Sequence, residues 1–139
     1  MHLLDADTLT HLHAGRPQVS KHLRETTDAD VGTTIITRAE LLRGRIEFLL
    51  KASTGAELLR AQQLLLRTEE LLAQIRIVPL DESAAVQFDR LRTTRVLRKL
   101  GRADLLVASI ALARRATLVT RNTRHFKQIP GLVVVNWVD

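Results

Sequence analysis

The chain contains no cysteine, which excludes disulfides and thiolate-held metals and makes a reducing cytoplasm the expected setting. Aromatic side chains are nearly as scarce. Phe48, Phe88, Phe126 and Trp137 are the whole set, and tyrosine is absent. A surface that stacks unpaired bases on rows of rings is therefore not expected. No apolar run comes near the roughly 20 residues needed to span a bilayer; the longest, LLVASIALA, has the length of a buried helix. The first residues carry no basic segment ahead of a long apolar stretch, and an acid stands at position 5, so no secretory signal is expected. Repeats, low-complexity tracts and linkers are missing too.

What is present describes an ordinary globular chain with a basic surplus. At 139 residues, one domain spanning 1–139 is expected, with roughly two-thirds of the unfolded surface buried on folding. Hydrophobic residues make up 45% and charged residues 26%, a balance unlike that of disordered chains. Twenty-one Lys and Arg against fifteen Asp and Glu give a net charge of +6, which favours a polyanionic partner through phosphate contacts and counterion release.

Periodicity yields an alternation of strands and helices. Residues 1–5 read as a short buried strand with a helix from about Thr8, and 31–36, VGTTII, as a second strand. Helical spacing follows over TRAELLRGRIEFLLKA and GAELLRAQQLLLRTEELLAQI, the latter with Leu58, Leu59, Leu65, Leu66 and Leu72 on a wide stripe expected to pack mostly in the core. RIVPL is a strand, DESAAVQFDRLRTTRVLRKL one helix opened by acids, ADLLVASIALARR an apolar helix, and ATLVT and GLVVVNW the last strands. Strands apolar throughout, separated by helices, imply a single α/β domain with a mostly parallel central sheet flanked by helices.

In such a sheet, ligands bind outside the carboxyl ends of the strands. Asp5 ends the first strand there, Glu40 sits near the start of the helix after the second, Asp104 opens the helix that feeds strand 117–120, and Asn122 lies just past that strand. Each has a plainer explanation. Thr37 and Glu40 have the spacing of a capping box, Asp104 complements a helix dipole, Asp7 reads as an N-cap, and Asn122 as a turn residue. Asp5 fits a plain explanation least, because an acid at the end of a buried strand needs partners. Three carboxylates at one edge repel, so they either take up protons or are neutralised by a cation. All-oxygen donors without Cys or an organised His set suit Mg²⁺ or Mn²⁺. His11 and His13, two apart, cannot share a helix face, and His2, His22 and His125 stand isolated in the sequence.

With LLDAD at the start, TTIITRAELLRGR next, LGRADLLVASIAL late and TLVTRNTRHFKQIPGLVVVNW at the end, nearly the whole chain resembles the PIN-domain ribonucleases, most closely the VapC-type toxins of bacterial toxin–antitoxin pairs. The resemblance implies Mg²⁺- or Mn²⁺-dependent endonucleolytic cleavage of RNA, often structured RNA such as transfer RNA. It also implies a cognate antitoxin and a homodimer. By position, Asp5, Glu40 and Asp104 match the three usual metal-binding acids. Asn122 stands where many members have a fourth acid, which counts against tight binding of a second ion. Asp7 replaces a usual Asn and partly restores that charge. Thr120 matches a frequent hydroxyl near the site, with Ser109 a weaker candidate. Arg121 and Arg124, just past the strand end, are candidates to hold the substrate backbone.

Two other readings compete. DADTL also resembles the D-x-D-x-T signature of haloacid-dehalogenase-type phosphohydrolases, with Asp5 as nucleophile and Asp7 as acid/base, but that pattern expects a downstream pair of acids where GRADLLVAS supplies one. A non-catalytic module that binds RNA or a protein is the other, through Arg92, Arg95, Lys99 and Arg102 along one helical face. The leucine-rich helices offer a groove for an antitoxin segment.

Overall fold

A computed structural model describes all residues, 1–139. Five short strands form one sheet: β1 (His2–Leu4), β2 (Val31–Thr34), β3 (Arg76–Val78), β4 (Thr117–Val119) and β5 (Val133–Val135). Their order is β3-β2-β1-β4-β5 and every pairing is parallel. The helices are α1 (Ala6–His13), α2 (Pro17–Glu25), α3 (Ile35–Lys51), α4 (Gly55–Gln74), α5 (Glu82–Arg92), α6 (Arg102–Arg114) and the single-turn α7 (Thr123–Phe126). Parallel neighbours need crossover connections, and helices supply them on both faces.

Alternation along β1 and β4 divides the core in two. Leu4 and Val119 point to one face with Leu9, Val19, Leu41, Leu72 and Trp137. Leu3 points to the other with Val78, Ala84 and Ile110, and Leu118 packs there against Val107, Ala108 and Phe126. Leu3 and Leu4 are 0% and 1% exposed, and burial of such a side chain stabilises by about 1.5–3 kcal/mol. The central strand thus binds both helical layers to one sheet.

Several boundaries differ from the sequence reading. The first helix starts at Ala6 rather than Thr8 because Asp5, and not Asp7, is its N-cap: the Asp5 carboxylate accepts from the Thr8 N–H at 2.8 Å. A second helix, α2, follows after Gly15 turns the chain at φ +75°, and Pro17 opens it. Ile35 and Ile36 belong to α3 and not to the strand, because Thr34 accepts from the Thr37 N–H at 3.0 Å and starts the helix early. The expected Thr37–Glu40 capping box is therefore absent, and Glu40 stands in the second turn.

The segment 81–100 is not one helix. Thr93 and Thr94 both turn their hydroxyls back to the Arg90 carbonyl at 3.0 Å, which competes with the helical ladder. The chain leaves α5 at Arg92 and makes only a 3₁₀ turn over Arg95–Leu97, where Leu97 is buried. Arg92, Arg95, Lys99 and Arg102 consequently share no helix face. The leucines of α4 also depart from expectation. Leu72 is buried, but Leu58, Leu59 and Leu66 are exposed, as are Ile46, Phe48 and Leu50 of α3. Twenty residues of α4 extend about 30 Å, whereas the sheet edge beside it, β3, has three residues. The distal half of the α3–α4 pair has no sheet to lie on.

Candidate active site

Three crossovers bring the acids to one end of the sheet. The Asp5 N–H continues the β1–β4 pairing by donating to the Val119 carbonyl at 3.0 Å, and the Thr120 N–H donates to Val135 at 2.9 Å. Asp5 and Thr120 are thereby fixed side by side at the strand ends. β2 passes into α3 with no residue between them, which sets Glu40 one turn above. α6 begins at the same end and carries Asp104 in its first turn.

A cavity of about 310 Å³ opens among them. Asp5, Asp7, Glu40 and Asp104 line it, with Thr120, Arg121 and Asn122 closing one side. Thr37 and the apolar Ala6, Val107 and Phe126, which no motif singles out, complete the wall. Arg124 does not line it, and neither does Ser109, which is buried with its hydroxyl donating to the Leu105 carbonyl at 2.6 Å.

The acids differ in what they bond. One Asp5 oxygen takes the Thr8 N–H, leaving the other for a ligand. Asp104 Oδ2 lies 3.0 Å from His125 Nε2, and the imidazole meets the Phe126 ring edge-on. His125 is therefore not isolated. A four-residue helix offers no periodic signal that would have linked it to Asp104. Glu40 is largely open by surface area, yet its carboxyl faces the cavity wall. Partial dehydration and then the negative charge of Asp104 raise its pKa above the ordinary glutamate value; Arg43 opposes them, and Asp5 adds the smallest upward push. The field inside the cavity is thus negative.

Asp7 stands at the rim, 3.8 Å from Arg121 and 3.6 Å from His11. Arg121 also binds Asp139 at 3.1 Å, so it is already committed to carboxylates. The Thr120 hydroxyl accepts the Asn122 N–H at 3.0 Å and stabilises the turn; Asn122 precedes α7 without capping it by side chain. Two further histidines are engaged elsewhere: His2 binds Asp28 at 2.7 Å, and both His2 and His22 stack on Trp137.

Hard oxygen donors converging on a negative cavity match a divalent cation of the Mg²⁺ or Mn²⁺ type. With the side chains as they stand, no three carboxylate or imidazole groups are close enough to grip one ion. The donor chemistry, carboxylate oxygens from Asp5, Glu40 and Asp104 around one cavity, fits such an ion. A larger cavity of about 400 Å³ between α3, α4 and β3 carries one acid, Glu69, among Arg38, Leu42, Leu72, Ile75 and Ile77, and lacks such a donor set. No helix is long and apolar enough to cross a membrane.

Comparison with known proteins agrees with this architecture. The model of the PIN domain family matches residues 2–132. "Ribonuclease VapC2" of Rickettsia felis is 40% identical over 68 residues, which span 48% of this chain and about half, 51%, of that relative. The fold superimposes on VapBC2 from Rickettsia felis, solved with a DNA fragment from its promoter, with a TM-score of 0.79, 26% identity and 98% coverage of each chain. It also superimposes on FitAcB from Neisseria gonorrhoeae, with a TM-score of 0.71, 26% identity and coverage of 98% of this chain and 97% of that one. An α/β domain with an all-parallel five-stranded sheet, matched over residues 2–132, places this chain in the PIN domain family.

Proposed function

We propose that this protein is a divalent-metal-dependent endoribonuclease, the toxin of a toxin–antitoxin pair, and that residues 1–139 form one PIN domain. The observation that carries the reading is the meeting of Asp5, Glu40 and Asp104, from three separate parts of the chain, in the wall of one cavity. A purely structural role gives no reason to gather these charges beside a surface with a net charge of +6. The D-x-D-x-T alternative fares worse, because the later half of the chain brings only Asp104 and the neutral Asn122 to the cavity.

In this reading Asp5 and Asp104 hold Mg²⁺ or Mn²⁺ through the oxygens that Thr8 and His125 leave free, with Glu40 as third ligand or as the group orienting the attacking water. The ion, when bound, supplies Lewis-acid activation of water and offsets charge on the phosphate. Asn122 and Thr120 bound the substrate side, and Asn122 adds no charge for a second ion. Arg121 keeps the site rim in register through Asp7 and Asp139 and presents its exposed edge to the substrate backbone; Arg124, outside the cavity, contacts phosphates further along. The exposed apolar face of α3–α4 is the surface for a protein partner, the antitoxin or a second copy of the chain. The cytoplasm, where RNA is found and cysteine is not needed for stability, is the setting.

The test is incubation of purified protein with transfer and ribosomal RNAs in Mg²⁺ or Mn²⁺, with and without chelator, followed by mapping of the ends. Discrete cuts that vanish in chelator and in Asp104→Asn are expected. Tight RNA binding with no cleavage in either ion would replace the enzyme by a binding module.

A further inference from the structure

A second groove, about 280 Å³ in volume, runs between α3 and α6 and shares Glu40 with the acidic cavity. Ile36, Ala39, Glu40 and Arg43 border it from α3 at spacings of three, four and seven, one helical face. Arg102, Ala103 and Leu106 border it from the first turns of α6. Its floor is therefore apolar and its rim cationic.

The two arginines are available to a ligand. Arg102 has no carboxylate partner in the chain; its guanidinium lies 5.3 Å from the Phe88 ring centroid, an attraction that orients the group without neutralising it. Arg43 is 74% exposed and only 3.8 Å from Glu47 at best, and an exposed pair of that kind contributes little. Arg43 is also close enough to Glu40 for its charge to be felt there. A basic rim on this side of Glu40 and acids on the other make one continuous surface that changes sign.

We propose that this groove is a substrate subsite that holds the nucleotide next to the cleaved bond, with its phosphate between Arg43 and Arg102 and its sugar and base edge on Ile36, Ala39 and Leu106. The assignment rests on the ribonuclease reading of the acidic cavity. A polyanion is the occupant that the charge selects, since a phosphate satisfies two guanidinium forks at once. An apolar floor without rings also accounts for how a chain with so few aromatics holds a nucleotide.

The experiment uses the full chain and a short fluorescein-labelled single-stranded RNA, with binding read by anisotropy in chelator across a salt series. Arg43→Ala/Arg102→Ala is expected to bind at least about tenfold more weakly. The slope of log K against log salt is expected to fall by about 0.7, the value for the one single-strand phosphate that the protein no longer neutralises. Arg114→Ala/Arg115→Asn removes the same charge from the far end of α6, about 18 Å from Arg102, and should lower the slope by less than half as much. Arg43 and Arg102 are exposed, and circular dichroism checks that both double variants remain folded.

A second arm follows cleavage in Mg²⁺ of RNAs lengthened one nucleotide at a time. In the parent, one added nucleotide on one side should raise kcat/KM, and the double variant should lose that gain. Parental affinity and slope in the double variant would overturn the subsite and leave the groove to a protein partner. An equal effect of the Arg114/Arg115 control would overturn it too, reducing it to net charge. If no RNA is cut by the parent while the double variant still loses affinity, the hydrolytic reading fails, and with it the place beside a cleaved bond, while the groove stands as an RNA-binding site.

Discussion

Replacing Asp5 in two ways separates its two duties. As N-cap of α1, it needs only an oxygen that accepts the Thr8 N–H at 2.8 Å; in its proposed role as a cation ligand, it needs charge. Asp5→Asn keeps the acceptor and deletes the charge, while Asp5→Ala deletes both. Loss of such a cap costs about 0.5–2 kcal/mol, whereas Asn caps as well as Asp. For 139 residues the unfolding entropy is about 0.3 kcal/mol/K, so the alanine variant should melt about 2–7 °C below the asparagine variant. Thermal unfolding in chelator measures this. Both variants relieve repulsion on Glu40, so the asparagine protein should melt no lower than the parent. RNA cleavage should be abolished in both. Equal melting of the two variants would refute the capping role, and full cleavage by Asp5→Asn, with contaminating nuclease excluded, would refute the role of charge.

Three further outcomes follow from the geometry. Gly32→Ala should lower stability by about 1–3 kcal/mol, although Gly→Ala at an unstrained site usually stabilises, because the new Cβ would lie 2.6 Å from the Arg76 carbonyl oxygen on the adjacent strand; an unchanged melting temperature would contradict the register of β2 on β3. Glu40→Gln should melt higher than the parent at pH 7 in chelator. With a raised folded-state pKa, Glu40 leaves the native state binding more protons than the unfolded one as pH rises through the glutamate range, so its contribution falls there; the advantage of Gln should close below about pH 4, under the usual glutamate value, and a gap independent of pH would rule this out. His125→Ala should weaken Mn²⁺ binding, followed by calorimetry, by about tenfold or more, with His125→Gln recovering part of it; unaltered affinity would reduce the 3.0 Å contact with Asp104 to an incidental one.

The fold is legible in the sequence where hydrophobic pattern and topology determine it. Short apolar or β-branched runs such as HLL and VGTT have few uses other than a buried strand, and parallel strands force their carboxyl ends to one side, which is why the order of elements alone places residues 5, 40, 104 and 122 together. Patterns that leave local competition open mislead. RLRTTRVLRKL keeps helical spacing through Thr93 and Thr94, yet their hydroxyls take the Arg90 carbonyl and end α5. The α4 stripe marks a face without revealing that its distal part extends past a three-residue strand. Contacts such as His125 with Asp104 depend on a turn too short to have any period.

The seamless passage from Thr34 into Ile35 makes the two sides of the cavity mechanically unequal. Asp5 directly follows β1 and caps α1, and Glu40 stands in the second turn of the helix that grows straight out of the neighbouring β2, so both are anchored to paired strands. Asp104 faces them from a helix steadied by a histidine on a single turn. In the proposed metal site, adaptation to ions of different radius would therefore fall to χ rotation of the acids rather than to movement of the strands beneath them.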